Sequence, residues 1–195
     1  MFWKPKAFSL ETERCSLRMP VMADFEEWVL LRRKSEEFLT PWEPERGANF
    51  YSLRSFKARV KWSQVSFREK KALPFFIFLR EDKSLLGAVT LDSIKRGPSQ
   101  SGSIGYWIGE PYAKQGYMTE AIKVVIFQAF NKLDLSRIKA ATLPENKSSR
   151  RLLEKNGFKY EGVAQSYLQI SGRWRNHVLY SLLRNDRRGT GIITS

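Results

Sequence analysis

Hydrophobic and polar residues alternate along this chain with two different periods, and the changes of period predict its secondary structure. Residues 12–19 alternate with the period of two that is typical of a strand, which Pro20 ends. Apolar residues at helical spacing follow and predict a first helix, which ends at the proline-rich segment around Trp42. Residues 51–70 place apolar side chains at helical spacing among many lysines and arginines, which predicts a second, exposed helix.

The middle of the chain predicts strands. Residues 75–80 and 85–91 are apolar runs on either side of the polar turn 81–84, and together they predict a β-hairpin. A polar loop over 95–102 follows, and residues 103–109 predict a further strand. This part of the chain is therefore expected to supply neighbouring strands of one sheet.

A long apolar helix and further strands complete the pattern. Residues 117–133 predict a helix that is apolar on most of its sides, and such a helix lies in the middle of a domain. Residues 137–142 predict a strand, residues 147–155 a short helix, and two last strands flank Ser171-Gly172. The order of elements predicts the α/β class, with a mixed sheet and helices on its faces.

Length and composition exclude several classes of protein. A chain of 195 residues fits one domain, here with a loose lead-in over 1–10 and a flexible basic tail over 185–195. With 42% hydrophobic residues it can form a core, which excludes general disorder. One cysteine, Cys15, and one histidine, His177, argue against disulfides and against a metal centre. No run reaches the ~18 apolar residues of a membrane helix, so we expect a cytoplasmic protein without membrane contact.

The charge of the chain indicates an anionic partner. There are 34 Lys and Arg against 20 Asp and Glu, for a formal net charge of +14. Nucleic acid, an acidic surface or a phosphorylated ligand would each fit such an excess. The basic helix around 54–71, with Trp62 and Phe67, is a candidate for contact with RNA phosphates. The alternative is an ordinary exposed amphipathic helix.

The segment from Ile104 to Ala121 carries the most informative motif, a strand that passes through a glycine turn into a helix. The first N–H groups of a helix lack internal partners and its dipole makes that end partly positive, so phosphate binds there. Gly116 leaves room for the close approach of a pyrophosphate, and Lys114 adds charge. The glycine spacing matches neither a nucleotide-triphosphate loop nor a dinucleotide fingerprint. A plain turn before a helix is the alternative.

Four blocks, in chain order, resemble the GNAT superfamily of N-acetyltransferases. Residues 106–121 resemble its acetyl-CoA motif, and residues 146–162 resemble its second motif, an Asn-x-x-Ser lead into a short helix closed by Gly-Phe. Residues 39–44 and 167–180 resemble the branch that acetylates the N-terminal alanine of ribosomal proteins. The resemblance covers roughly residues 10–184 and implies a largely antiparallel, twisted sheet that splays at its centre.

The resemblance implies acetyl-CoA as the acetyl donor and assigns the residues that bind it. The strand before the glycine turn would hold the thioester arm on its backbone, and the turn would hold the pyrophosphate. The family often has Gln or Arg at the position of Ala113, Gly at Lys114 and a small residue at Met118, which leaves the loop conformation open. The implied cofactor-binding residues are Trp107, Ile108, Lys114, Gln115, Gly116, Tyr117, Met118, Thr119, Asn146, Ser149 and Lys155.

The resemblance also implies the catalytic residues. Ser149 matches the serine that assists the departing thiolate, and Leu153 stands where many members carry a tyrosine acid. The alternative is that Ser149 only caps or fills its short helix. An α-amine has an ordinary pKa of ~7.7–8.0, so a fraction of it is neutral near pH 7 and can attack the thioester directly. Asp92 and Glu43 are the candidate bases, each through water, and a surface or loop-capping role is the alternative for both.

The acceptor is implied by the same resemblance. Trp42, Glu43, Tyr167 and Trp174 are expected to shape its slot, and the N-terminal alanine of a ribosomal protein is the expected substrate. One alternative is a small amine such as a polyamine or an aminoglycoside, which the charge of the chain opposes at long range. A second alternative is a ribosomal RNA or ribosome-binding assembly factor with little activity.

Overall fold

The computed structural model describes residues 8–185, whose strands form a single eight-stranded sheet. The strands are β1 Ser9–Glu11, β2 Cys15–Arg18, β3 Leu73–Leu79, β4 Leu85–Lys95, β5 Ser101–Ile108, β6 Arg137–Thr142, β7 Lys159–Ile170 and β8 Arg173–Leu183. Their order across the sheet is β1-β2-β3-β4-β5-β6-β8-β7. Only β5 and β6 pair in parallel; the other neighbours are antiparallel. The predicted mixed, largely antiparallel sheet is confirmed.

Helices cover both faces of this sheet. They are α1 Phe25–Lys34, α2 Glu36–Leu39, α3 Leu53–Arg68, α4 Tyr117–Asn131 and α5 Lys147–Lys155. Alternate residues of β3 point to opposite faces, so Phe75 packs with α4 in one core and Phe76 packs with α1 and α3 in a second core. Helix α4 packs one side into the core, where Ile122 and Val125 are fully inaccessible to solvent, but it is not buried on most sides as expected, because Phe127 on its outer side is 56% exposed.

The sheet opens at its centre. The parallel pairing of β5 with β6 is confined to residues 101–103 of β5 and 137–139 of β6. Beyond Ser103, β5 continues to Ile108 paired with β4 alone, while β6 continues beside β8. We call this opening the splay, and it confirms the central splay that the resemblance implied. Residues 104–108 thus keep one backbone edge that β6 does not pair.

Some elements differ from the predicted ones. The strand predicted over 12–19 begins only at Cys15, as β2, because the Thr12 hydroxyl accepts a hydrogen bond from the Cys15 N–H at 2.8 Å and closes a turn between β1 and β2. Ser9 and Leu10, predicted to lie in the lead-in, therefore belong to β1. Strand β4 runs past Leu91 to Lys95 through a bulge. The rest of the predicted lead-in, 1–7, and the predicted tail from 186 onward lie outside the described residues.

No helix within residues 8–185 is both long enough and apolar enough to cross a membrane.

Candidate active site

The turn before α4 has the geometry of an anion-binding site. Gly116 is the N-cap of α4 with φ +89°, and Lys114 is also left-handed with φ +62°. No side chain caps this helix start, so the first N–H groups of α4 remain available to a ligand. The left-handed φ favours glycine here, and a Cβ on Gly116 would in addition lie 3.1 Å from a guanidinium nitrogen of Arg14, which would have to shift slightly.

Arg14 is a positive charge beside this turn that the sequence did not reveal. Its Nε donates to Glu120 at 2.6 Å and its Nη2 donates to the carbonyl of Gln115 at 3.0 Å. The guanidinium also lies 4.4 Å from the centre of the Tyr117 ring. Arg14 therefore braces the turn, and its charge is paired with that of Glu120 in the first turn of α4. No local signal could have found it, since its partners lie about a hundred residues away in the chain.

The turn offers mainly backbone groups to a ligand. The Gln115 amide folds back and donates to the Pro111 carbonyl at 2.7 Å. The Met118 side chain is buried in the α4 core. The departures from the family pattern at Lys114 and Met118 leave the left-handed turn intact. The structure thus brings together the backbone of residues 114–119, as a pyrophosphate site requires.

Ser149 lies beside the splay with a partner that was not predicted. Its hydroxyl is 2.8 Å from the Tyr106 hydroxyl of β5. The Asn146 side chain accepts from the Ser149 N–H at 3.0 Å and is the N-cap of α5, so the capping role belongs to Asn146. Burial raises the pKa of Tyr106 to about 12, although its hydrogen bond with Ser149 acts in the opposite direction. Leu153, at the common tyrosine position, is fully buried in the core, and Lys155 is exposed at the far end of α5.

A cavity reaches the splay from the face opposite α4. Its volume is about 170 Å³, and it lies between α3 and the middle of the sheet. Its lining includes β5 backbone at the splay. The lining residues are Pro20, Glu43, Arg59, Trp62, Ser63, Pro74, Phe75, Phe76, Ala88, Thr90, Gly105, Tyr106 and Trp107.

Glu43 lies in the wall of this cavity, but two arginines occupy its carboxylate. Arg32 donates to both carboxylate oxygens at 2.8 and 2.5 Å, and Arg46 donates at 2.8 Å. Burial alone would raise the pKa of Glu43, but the hydrogen bonds and charges of Arg32 and then Arg46 outweigh it and hold the pKa below its ordinary value. The geometry therefore makes Glu43 the centre of an ion-pair cluster and a weak proton acceptor.

Asp92 has the opposite electrostatic environment. It lies two and four residues beyond Thr90 and Ala88 on β4, and so on the strand face that lines the cavity. Burial raises the pKa of the Asp92 carboxyl, and a hydrogen bond with Ser93 offsets only part of that rise. Of the two candidate bases, Asp92 is the one whose environment strengthens it.

The predicted acceptor residues are only partly brought together. The β7–β8 turn contacts the loop that holds Glu43, because the Ser171 N–H donates to the Glu43 carbonyl at 3.1 Å. Tyr167 and Trp174 are 46% and 62% exposed, and Trp42 is half-buried. These three side chains are not among the residues that line the cavity. Of the four, only Glu43 contributes to the cavity wall.

Comparison with known proteins shows the family to which the chain belongs. The model of the acetyltransferase (GNAT) domain family matches residues 14–159. The chain is 33% identical over 165 residues to "Probable N-acetyltransferase YjcK" of Bacillus subtilis, covering 85% of this chain and 91% of that protein. It is 32% identical over 179 residues to "[Ribosomal protein uS5]-alanine N-acetyltransferase" of Escherichia coli, covering 91% of each. The solved structure "Mycobacterium smegmatis RimJ in complex with CoA-disulfide" superposes with a TM-score of 0.83 at 30% identity, covering 90% of this chain and 84% of that one.

The turn before α4 follows directly on β5, and β5 also carries the open backbone edge and lines the cavity, an arrangement that fits a group-transfer enzyme with two substrates. The chain belongs to the GNAT family of acetyltransferases, and it transfers an acetyl group from acetyl-CoA to an amine nitrogen. Its residues fit the cofactor, since Gly116 and Arg14 form a cradle that a Cβ would fill and β5 has a free backbone edge. When bound, acetyl-CoA supplies the activated acetyl group. Residues 8–185 contain no cluster of three or more His, Cys, Asp or Glu side chains that would hold a metal ion.

Proposed function

We propose that this enzyme acetylates the N-terminal alanine of a ribosomal protein in the cytoplasm. The observation that carries the proposal is the cavity on the α3 face, which meets the splay opposite the turn that fits coenzyme A. An acceptor chain end entering there would reach the middle of β5 from the face opposite the cofactor. The similarity to the E. coli uS5-alanine acetyltransferase over 91% of the chain supports this acceptor class.

The proposed mechanism is direct attack by the amine, and the site supplies position and proton transfer. Asp92 accepts the proton of the amine through water, because its raised pKa makes it the stronger base and the Glu43 carboxylate is occupied by arginines. The free backbone edge of β5 provides N–H donors for the arm and for the developing oxyanion. Ser149, at the splay, donates a hydrogen bond to the departing sulphur.

A small polycationic acceptor is less compatible with the charges of the cavity. Arg59 lines the cavity, and no ion pair of its guanidinium is found among the described residues. The one acidic residue among the lining side chains, Glu43, is already neutralised by Arg32 and Arg46. A polyamine would therefore meet net positive charge both at the cavity and over the whole chain.

We further propose that α3 contacts ribosomal RNA. Arg54, Lys57, Lys61 and Arg68 recur at spacings of three, four and seven residues along the exposed side of α3, so they form one basic stripe. Trp62 beside this stripe is 47% exposed and offers a surface for base stacking. Binding to ribosomal subunits should weaken steeply as salt rises, and a flat response would remove this proposal.

The acceptor is tested by mass spectrometry with synthetic peptides. Incubation with acetyl-CoA should add one acetyl group to a peptide that begins with alanine and none to the same peptide with a blocked N-terminus. Spermidine and an aminoglycoside serve as competing acceptors. Acetylation of those small amines alone would reverse the ranking of acceptors. In the same assay, Ser149→Ala should lower kcat by about 100-fold, in the range for loss of a hydrogen bond to a charged group, and leave binding of coenzyme A intact.

A further inference from the structure

Two hydroxyl groups meet where β5 separates from β6. The Tyr106 and Ser149 oxygens are 2.8 Å apart, although the residues are 43 positions apart in the chain. Tyr106 lies in the part of β5 that β6 does not pair, and Ser149 lies in the first turn of α5. The Asn146 side chain accepts a hydrogen bond from the Ser149 N–H, which fixes the backbone of the serine. The hydroxyl pair therefore bridges the splay at a defined position.

The direction of this hydrogen bond follows from the chemistry of the two groups. Each hydroxyl has one proton, so only one of them can donate to the other. A phenol is more acidic than an aliphatic alcohol, which makes it the better donor and the poorer acceptor. Because burial raises the pKa of Tyr106 to about 12, the phenol also keeps its proton near neutral pH. With Tyr106 as the donor to the Ser149 oxygen, the Ser149 proton points elsewhere.

We infer that Tyr106 is a positioning residue for acetyl transfer, whose hydroxyl directs the proton of Ser149 toward the departing sulphur. This inference rests on the proposed role of Ser149. As the amine nitrogen bonds to the acetyl carbon, the bond from that carbon to sulphur breaks and the electron pair stays on sulphur. Ser149 donates a hydrogen bond to that pair, and Tyr106 keeps its own proton. The amine proton leaves by way of Asp92 and water, and the sulphur is protonated from solvent.

The first test is a titration of the thiol of coenzyme A bound to the enzyme, followed by the ultraviolet absorbance of the thiolate. Two oriented hydroxyls should lower the pKa of this thiol in the wild-type complex. Tyr106→Phe and Ser149→Ala should each raise it by about half a unit to one unit, as for the loss of one charge-assisted hydrogen bond. Tyr160→Phe, a tyrosine 58% exposed on the outer strand β7, is the matched control and should leave the thiol pKa unchanged.

The second test separates turnover from binding. Tyr106→Phe should lower kcat by roughly 10-fold while the KM for acetyl-CoA stays within about two-fold. The double variant with Ser149→Ala should be no slower than Ser149→Ala alone, because both changes remove the same hydrogen bond to sulphur. Additive losses would show that Tyr106 acts independently of the serine and would overturn the inference.

The outcomes distinguish this inference from the proposals on which it rests. If Ser149→Ala raises the thiol pKa and Tyr106→Phe does not, the role of Tyr106 is overturned and that of Ser149 stands. If Ser149→Ala leaves the thiol pKa unchanged, both roles fall. The titration uses no acceptor, so it decides the role of Tyr106 even if no alanine peptide is acetylated.

Discussion

Replacing Glu43 with glutamine should unfold this protein at a markedly lower temperature. The Glu43 carboxylate accepts three hydrogen bonds from Arg32 and Arg46, and the Arg32 side chain is only 4% exposed. Among the described residues, the Nε atoms of both arginines are already buried without a partner. Glu43→Gln would leave two buried guanidinium groups facing a neutral amide, whose NH₂ end repels one of them.

The size of the effect follows from burial. Breaking a buried ion pair by removing one partner costs about 3–5 kcal/mol. For a domain of this size, each kcal/mol lowers Tm by about 2–4 °C, so we expect a decrease of about 6–20 °C. Glu36→Gln is the matched control, because Glu36 pairs with the same Arg46 at 3.4 Å but is 52% exposed. Such an exposed pair contributes about 0–1 kcal/mol, so this control should stay within a few degrees of wild type.

Calorimetric measurement of Tm for wild type and Glu43→Gln over a series of pH values tests this prediction. The pKa of Glu43 is lowered in the folded protein. The ionised carboxylate therefore contributes its full stability to the fold at pH values above the ordinary glutamate pKa, and this stability is lost as the pH falls through the lowered pKa of the folded state. The difference in Tm between wild type and Glu43→Gln should therefore be large at pH 7 and shrink in acid. A Glu43→Gln protein within about 2 °C of wild type at pH 7 would refute the claim that these arginines need the carboxylate.

Three further outcomes are expected. Gly116→Ala should weaken binding of coenzyme A by about 10-fold, since the free variant relaxes out of the left-handed conformation and must regain it, at ~1–2 kcal/mol, to bind; isothermal titration tests this, with Gly47→Ala, where nothing lies within 4 Å, as the control. Asp92→Asn should lower kcat/KM by about 100-fold and remove the acid limb of the pH–rate profile. In wild type this limb should have its midpoint above the ordinary aspartate pKa. An unchanged acid limb would contradict the role of Asp92 as the base. Arg59→Glu should improve kcat/KM for spermidine relative to an alanine peptide, whereas Arg54→Glu, on α3 outside the cavity lining, should change the ratio less.

The anion-binding turn could be predicted because its parts are contiguous in the chain. A strand, a glycine and an apolar helix within some twenty residues specify a helix start that faces the end of a strand. Arg14 could not be predicted, because it contacts this turn only after β2 is placed beside the rest of the sheet. The bond between Tyr106 and Ser149 likewise depends on how α5 sits over the splay.

Other candidate site residues depend on contacts that only the folded chain makes. Glu43 was expected as a base, but its proton affinity depends on Arg32 and Arg46, which only the folded loop brings to it. Tyr167 and Trp174 were expected at the acceptor slot. Tyr167 lies where β7 and β8 lose their regular pairing, because the three residues between Ala164 and Leu168 on β7 lie opposite a single residue on β8, and the sequence pattern does not show this irregularity.

The unpaired edge of β5 also bears on aggregation. An exposed strand edge normally invites pairing with another polypeptide, and proteins protect such edges with charge, bulges or covering elements. Here the free edge lies inside the sheet, and β6 converges on it to hydrogen-bonding distance at Ser103. A slim, extended ligand arm can pair with the edge, whereas a second polypeptide strand with its side chains would have to displace β6. If the arm of coenzyme A binds this edge, as we propose, the enzyme keeps a free edge for its cofactor without offering it to other protein chains.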